Sequence, residues 1–227
     1  MPFHLSRKNI PLPEDRTVDV KVKVCGITNA PDALHTLKCG ADFFGMVFYP
    51  KSPRHVTMEK ASRILEVLKE QGHSSPPAIG VFVNEKRERI IKIQASLGLF
   101  AVQLHGEESP LFCHELPCRV IKAIRVKNPD SMKEIDKYRV WAILCDAFDP
   151  RKRGGTGKRI DAAMLRPYVP HHTIFLAGGL DPGNVKEALR QIVPFAVDVS
   201  SGVERTPGRK DPDKVRAFIA AVKGHEF

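Results

Sequence analysis

Short apolar runs and longer amphipathic stretches alternate along the chain. The runs fall at 20–24, 43–48, 78–83, 101–104, 120–124, 141–145, 173–177 and 196–199. Each has the length and the Val, Ile and Phe content of a buried strand. Helix signals stand between them. Thr28-Asn29 precedes Pro31, and Thr57 opens MEKASRILEVLKE with Ile64, Leu65 and Leu68 on one face. Asn84 is placed to cap EKRERIIKIQASLG, which stops at Gly98. Asp181-Pro182 opens GNVKEALRQIV, and Asp211-Pro212 opens DKVRAFIAAVK. Strands alternating with helices imply parallel pairing through crossover helices. Eight such units leave room for little except a closed barrel, so the pattern predicts the α/β class and a single (β/α)8 TIM barrel over 20–227. A doubly wound open sheet is the alternative, because periodicity does not show closure. Residues 1–19 have no partner strand in this scheme and read as a Pro-containing, irregular N-terminal arm.

Composition narrows the setting. A chain of 227 residues with 42% hydrophobic and 27% charged residues can bury one large core. No apolar run approaches the ~20 residues of a membrane span, and the first residues lack the apolar h-region of a secretory signal. A cytoplasmic protein without a membrane partner is expected. The five cysteines are odd in number and show no CxxC spacing, which suggests neither a disulfide framework nor a zinc knuckle. No cluster of His, Cys and carboxylates has metal-ligand spacing, so no metal is expected. The formal charge of +10 suits an anionic small molecule or a solvated basic surface. A nucleic-acid partner ranks below these. Lys and Arg are scattered, with short clusters such as Arg151-Lys152-Arg153, and no RNA-binding motif or aromatic platform occurs. Monomer and homodimer are both compatible with the sequence.

In a parallel barrel the chemistry gathers at the carboxyl ends of the strands. Three Gly-rich segments follow the last three runs: Gly154-Gly155-Thr156-Gly157-Lys158, Gly178-Gly179-Leu180 and Ser200-Ser201-Gly202. One glycine pair alone reads as a tight turn. Two Gly-rich turns after the seventh and eighth strands favour a phosphate cradle, since backbone N–H groups approach an anion closely where no Cβ intervenes. A Walker A loop is excluded by Lys152 and Arg159 at the positions that need Gly and Ser/Thr. The first turn, Cys25-Gly26-Ile27-Thr28, does not carry a dinucleotide fingerprint.

Strand alternation puts Lys21, Lys23 and Cys25 on one face and three valines on the other. Cys25 would crown the barrel interior with Lys23 about 6.5 Å below it. Two readings stand level here. Either the Lys23 ammonium favours a Cys25 thiolate able to take a proton, or Cys25 is a small core residue and Lys23 pairs with Asp198. Asp146 ends the sixth strand and points to the mouth, as a polar cap or as a general acid/base. Arg54 lies in a loop stiffened by Pro50 and Pro53, where a guanidinium fork can hold a carboxylate. An ordinary solvated Arg is the plain reading. His105 after the fourth strand takes a supporting role.

These segments resemble the phosphoribosylanthranilate isomerase family. The likeness is carried by KVCGIT at 23–28, GADFFGMVFYPKSPRHV at 40–56, GVFVN at 80–84, VQLHGEE at 102–108, LCDA with RGGTGK within 144–158, FLAGGLDPGNV at 175–185 and VDVSSGVERTPGRKD at 197–211. The resemblance implies an isomerase of tryptophan biosynthesis that works on a phosphorylated small-molecule substrate without a cofactor. It implies Cys25 as general base, Asp146 as general acid and Arg54 on the anthranilate carboxylate. Gly178, Gly179, Ser200, Ser201 and Gly202 would hold the phosphate, with Gly155, Thr156 and Gly157 closing over it. Lys23, His105 and Asp198 are supporting residues. The implied reaction is an Amadori rearrangement. The arm, the Lys158-Arg159-Ile160-Asp161 segment and the basic charge depart from the family's usual pattern.

Overall fold

A computed structural model describes residues 19–126, 129–147 and 162–224, with backbone alone at 129–130 and 147. Its strands are β1 (Lys21–Cys25), β2 (Phe43–Val47), β3 (Ala78–Phe82), β4 (Ala101–Leu104), β5 (Val120–Val126), β6 (Ala142–Ala147), β7 (Ile174–Leu176) and β8 (Ala196–Val199). They pair in parallel in chain order, and β8 returns to β1 through Lys21↔Ala196 and Lys23↔Asp198. That last pairing closes the barrel and removes the open-sheet alternative. All eight apolar runs became strands, 101–104 and 196–199 with unchanged ends and the other six with an end shifted by one or two residues. Most of the expected arm lies outside the described residues, as do Gly155, Thr156 and Gly157.

The helices are α1 (Ala30–Lys38), α2 (Met58–Glu70), α3 (Arg87–Leu97), α4 (Pro110–His114), α5 (Pro129–Met132), α6 (Val185–Gln191) and α7 (Pro212–Lys223). Three of the expected caps are made. Asn29 accepts from Asp32 N, Thr57 from Lys60 N, and Asp211 from both Asp213 N and Lys214 N. Two expectations need correction. Asn84 is not a cap: it sits at φ +50°, and its Oδ1 accepts from Glu107 N on the next loop. Asn tolerates this left-handed backbone because its short side chain finds local partners. Asp181 does not open its helix either. Its carboxylate accepts from Gly183 N in a turn of its own, and α6 begins only at Val185. A local side-chain bond of this kind competes with helix.

The strand period sorts the core into two regions. Val20, Val22 and Val24 face outward and pack with Ile64, Leu68, Ile90 and Phe218 from the helix layer. Inside the barrel, Phe43, Ile79, Ala101, Ile121, Ala142, Phe175 and Ala196 fill the amino-terminal end. Trp141, Phe100 and Phe195 cover them in edge and tilted contacts, with ring centroids 5.4 Å apart for Phe100–Trp141 and 5.6 Å for Phe175–Phe195. After β8 the chain adds a feature that the hydrophobic pattern did not suggest. A short antiparallel hairpin, β9 (Glu204–Thr206) and β10 (Arg209–Lys210), lies beside the carboxyl end of β1.

Candidate active site

At the carboxyl end the interior positions turn polar. A cavity there is lined by Cys25, Arg54, Gln103, His105, Asp146 and Asp198, with Gly178, Gly179 and Ser200 along one side. The sequence had singled out every one of these except Gln103. Ser201 and Gly202 stand one step behind the lining. A Cβ on Gly202 would lie 2.0 Å from the Leu180 carbonyl oxygen, so this glycine lets the two Gly-rich turns pack backbone to backbone.

The two readings of Cys25 and Lys23 turn out to be parts of one arrangement. Lys23 is fully buried and donates to Asp198 Oδ1 at 2.7 Å, as the core reading expected. Its ammonium also stands near the Cys25 sulfur and acts on it through its charge. Gly45 on β2 makes the room, because a Cβ there would sit 2.8 Å from Cys25 Sγ and 3.2 Å from Lys23 Nζ. Burial works against the Lys23 ammonium, yet Asp198 and Cys25 outweigh it and its pKa stands above the ordinary lysine value. Burial pushes the Cys25 thiol up, and the pull of Lys23 offsets this only in part. Burial likewise lifts Asp198, against the opposing charge of Lys23. The nearby ammonium therefore does not win alone: in the free protein Cys25 rests as a thiol held close to its charge partner.

Asp146 faces His105, whose Nε2 is 3.3 Å from Asp146 Oδ2 but off the direction of a hydrogen bond. Gln103 Nε2 lies 3.1 Å from His105 Nδ1. An amide donor at Nδ1 leaves the proton on Nε2, the nitrogen turned toward Asp146. Gln103 thus orients His105, which stands beside the acid candidate without a hydrogen bond to it. Behind this loop, the buried Glu108 accepts from Lys122 at 2.6 Å and from the backbone N–H groups of Asn84 and Gly106, which pins the turn carrying His105.

Gly178 and Gly179 have φ of +93° and +67°. Their amides donate to no other described residue, and both line the cavity. Uncommitted N–H groups at a concave turn suit an anion. Arg54, a neighbour of Ser200 across Gly26, is not the solvated side chain of the plain reading. Its Nε and Nη2 donate to Glu204 at 2.9 and 2.7 Å. Sequence reasoning passed over Glu204 and Lys210. Their only signal was charge inside the segment VDVSSGVERTPGRKD, directly after the Gly-rich turn. No group of three or more metal-ligating side chains stands together among the described residues.

The arrangement brings a thiol, a carboxylic acid and an anion cradle to one cavity, which suits proton transfer on a phosphorylated carbon skeleton. Comparison with known proteins points the same way. The profile of the family described as N-(5'phosphoribosyl)anthranilate (PRA) isomerase matches residues 22–221. The chain is 48% identical over 208 residues to an N-(5'-phosphoribosyl)anthranilate isomerase of Trichlorobacter lovleyi, covering 90% of this chain and 98% of that protein. It is similar to the crystal structure of phosphoribosyl anthranilate isomerase from Thermotoga maritima, with TM-score 0.82, 44% identity, and 90% and 99% of the two chains covered. A second similar structure, at TM-score 0.79 and 43% identity over 90% and 99% of the chains, is a phosphoribosyl anthranilate isomerase in complex with reduced 1-(o-carboxyphenylamino)-1-deoxyribulose 5-phosphate.

Proposed function

Because this chain belongs to the phosphoribosylanthranilate isomerase family, we propose that Cys25 and Asp146 divide the acid–base work of its reaction. That reaction is the Amadori rearrangement of N-(5-phosphoribosyl)anthranilate to 1-(2-carboxyphenylamino)-1-deoxyribulose 5-phosphate, a step of tryptophan biosynthesis. Asp146, at the end of β6, protonates the furanose ring oxygen. The ring opens as the anilino nitrogen lends its electron pair, giving a Schiff base. Cys25, at the end of β1, then takes the proton from C2′ in its thiolate form and becomes the thiol. The electron pair of that C–H bond moves toward the nitrogen, and the resulting enolamine becomes the ketone. The substrate's own nitrogen is the electron sink, so the scheme needs no cofactor.

The observation that carries this reading is that Cys25 and Asp146 line one cavity together with the open amides of Gly178 and Gly179. A phosphate held on those glycines and Ser200, and a carboxylate held at Arg54, would stretch the ribose between them. His105, Lys23 and Asp198 support the two proton carriers. Gly155, Thr156 and Gly157 complete the cradle in this scheme. No helix among the described residues is long and apolar enough to cross a membrane, and a cytoplasmic location belongs to the same proposal. Light scattering would decide whether the working form is monomer or homodimer.

The test is turnover of freshly generated phosphoribosylanthranilate, followed by loss of its fluorescence, in wild type, Cys25→Ser and Asp146→Asn. Activity that collapses in both variants while both stay folded is the expected result. Activity that survives in either one would remove that residue from its role.

A further inference from the structure

A carboxylate-binding arginine is an odd place for a buried glutamate, because the glutamate cancels the charge that should attract the ligand. Arg54 has five N–H donors in a planar fork. Glu204 occupies the side formed by Nε and Nη2, which leaves Nη1 and the second N–H of Nη2 on the far edge. That edge, which donates to no other described residue, offers two parallel donors, the geometry that grips a carboxylate bidentately. Arg54 itself lines the cavity.

Glu204 is itself held on every side. Its Oε1 accepts from Arg54 Nε at 2.9 Å, Lys210 Nζ at 2.9 Å and Gly208 N at 3.2 Å. Lys210 spends its remaining donors on the carbonyls of Cys25 at 2.6 Å and Ser200 at 3.2 Å. The cluster thus ties the arginine to the ends of β1 and β8, where the base candidate and the cradle sit. By formal count Arg54, Lys210 and Glu204 together carry one net positive charge, although burial pulls the Lys210 pKa down. Gly26 completes the seat: a Cβ there would lie 2.5 Å from Arg54 Cδ, and its φ is +80°.

We propose that Glu204 is a positioning residue for substrate selection, holding one edge of Arg54 so that the other edge meets the aryl carboxylate of the ligand. This rests on the reading of Arg54 as the carboxylate ligand given above. Attraction by charge alone would need no glutamate. Selection by direction does, because an unrestrained guanidinium could fold back or follow any anion.

The test compares two Amadori products made from ribose 5-phosphate, one from anthranilate and one from aniline, which lacks the carboxylate. Their Kd values are measured for wild type, Arg54→Gln, Glu204→Gln and Glu204→Asp. The ratio of the two Kd values reads carboxylate recognition and is indifferent to a general loosening of the site. Wild type should prefer the carboxylated ligand, and Arg54→Gln should lose that preference. Glu204→Gln should lose on the order of 10-fold of it. Glu204→Asp keeps the charge but shortens the arm, and it should show the same loss. It carries the comparison if Glu204→Gln fails to fold. A preference that is unchanged, or that grows when the negative charge is removed, would overturn the proposal. If Arg54→Gln keeps the preference, the Arg54 reading itself fails, and that outcome is distinct from a failure of Glu204 alone.

Discussion

Along single strands the inward side chains change character within a few residues. On β6, Ala142 and Leu144 lead to Asp146; on β8, Ala196 leads to Asp198; on β1, Lys23 leads to Cys25. The amino-terminal end of the barrel is a plug of Phe43, Phe175 and Ala196 beneath Trp141 and Phe195. The carboxyl-terminal end is a cavity where ionisable groups share the lining with Val47, Tyr49, Val81, Val83 and Leu144. Between them the Lys23–Asp198 pair occupies interior space that hydrocarbon would fill more cheaply, since burying two charges costs desolvation that their attraction need not repay. The difference teaches where each end gets its order. The lower end is fixed by close packing of rings, and the upper end by hydrogen bonds and charge partners brought together from distant parts of the chain.

If the two ends are separable, the largest effects on activity should come from the top with little effect on stability. Cys25→Ala and Asp146→Asn should each lower turnover by at least 10²–10⁴-fold, the usual worth of a proton carrier. Their melting temperatures should stay within a few degrees of wild type. A variant that loses activity only because it unfolds at assay temperature would break the comparison.

The converse belongs to the bottom. Phe175 is fully buried in the plug, so Phe175→Ala should cost about 3–5 kcal/mol of unfolding free energy in denaturant titration. The fraction that stays folded should keep wild-type affinity for the product. Affinity falling in step with stability would show that the plug also shapes the cavity.

Gly45 lies between the ends and should show both effects, each smaller. Gly45→Ala pushes a methyl group toward Cys25 Sγ and Lys23 Nζ, and overpacking of this kind costs about 1–3 kcal/mol. Turnover should fall as Cys25 is displaced. Wild-type turnover in a destabilised Gly45→Ala protein would mean that the crowding is relieved through Lys23 rather than through the thiol.

The two ends were not equally legible in the sequence. The strands followed from short apolar runs, because burial on both faces of a parallel sheet leaves a continuous local pattern; the aromatic plug was not among the expectations. Cys25, Asp146 and the glycines followed from their places at strand ends, and the family resemblance gave them roles. The partners that hold the top together left no local trace. Glu204 meets Arg54 from 150 positions away, and Lys210 meets the Cys25 carbonyl from 185. The hairpin that carries both, ERTPGRK, has no apolar alternation and reads as an exposed turn. Asn84 and Asp181 misled for a related reason. Residues that cap helices also satisfy loops, and only the fold decides which they do.

The smallest expected effect tests whether charge at the top is tuned as its geometry suggests. A base works in its deprotonated form, and burial holds the Cys25 thiol above its ordinary value of 9.0. The pH profile of kcat/KM should therefore carry a limb that rises with pH through the thiol range, and the limb should be missing in Cys25→Ser. Asp198 contributes to the upward push on Cys25 through its negative charge. Asp198→Asn removes that charge while keeping the shape, so the limb should move to lower pH. The position of the limb is the measurement, since the plateau also reports any other task of Asp198. A limb that moves up instead would mean that Lys23 loses its proton once its carboxylate is gone. The ammonium would then owe its charge to Asp198 rather than to Cys25, and the lysine would be a structural partner first and a catalytic one second.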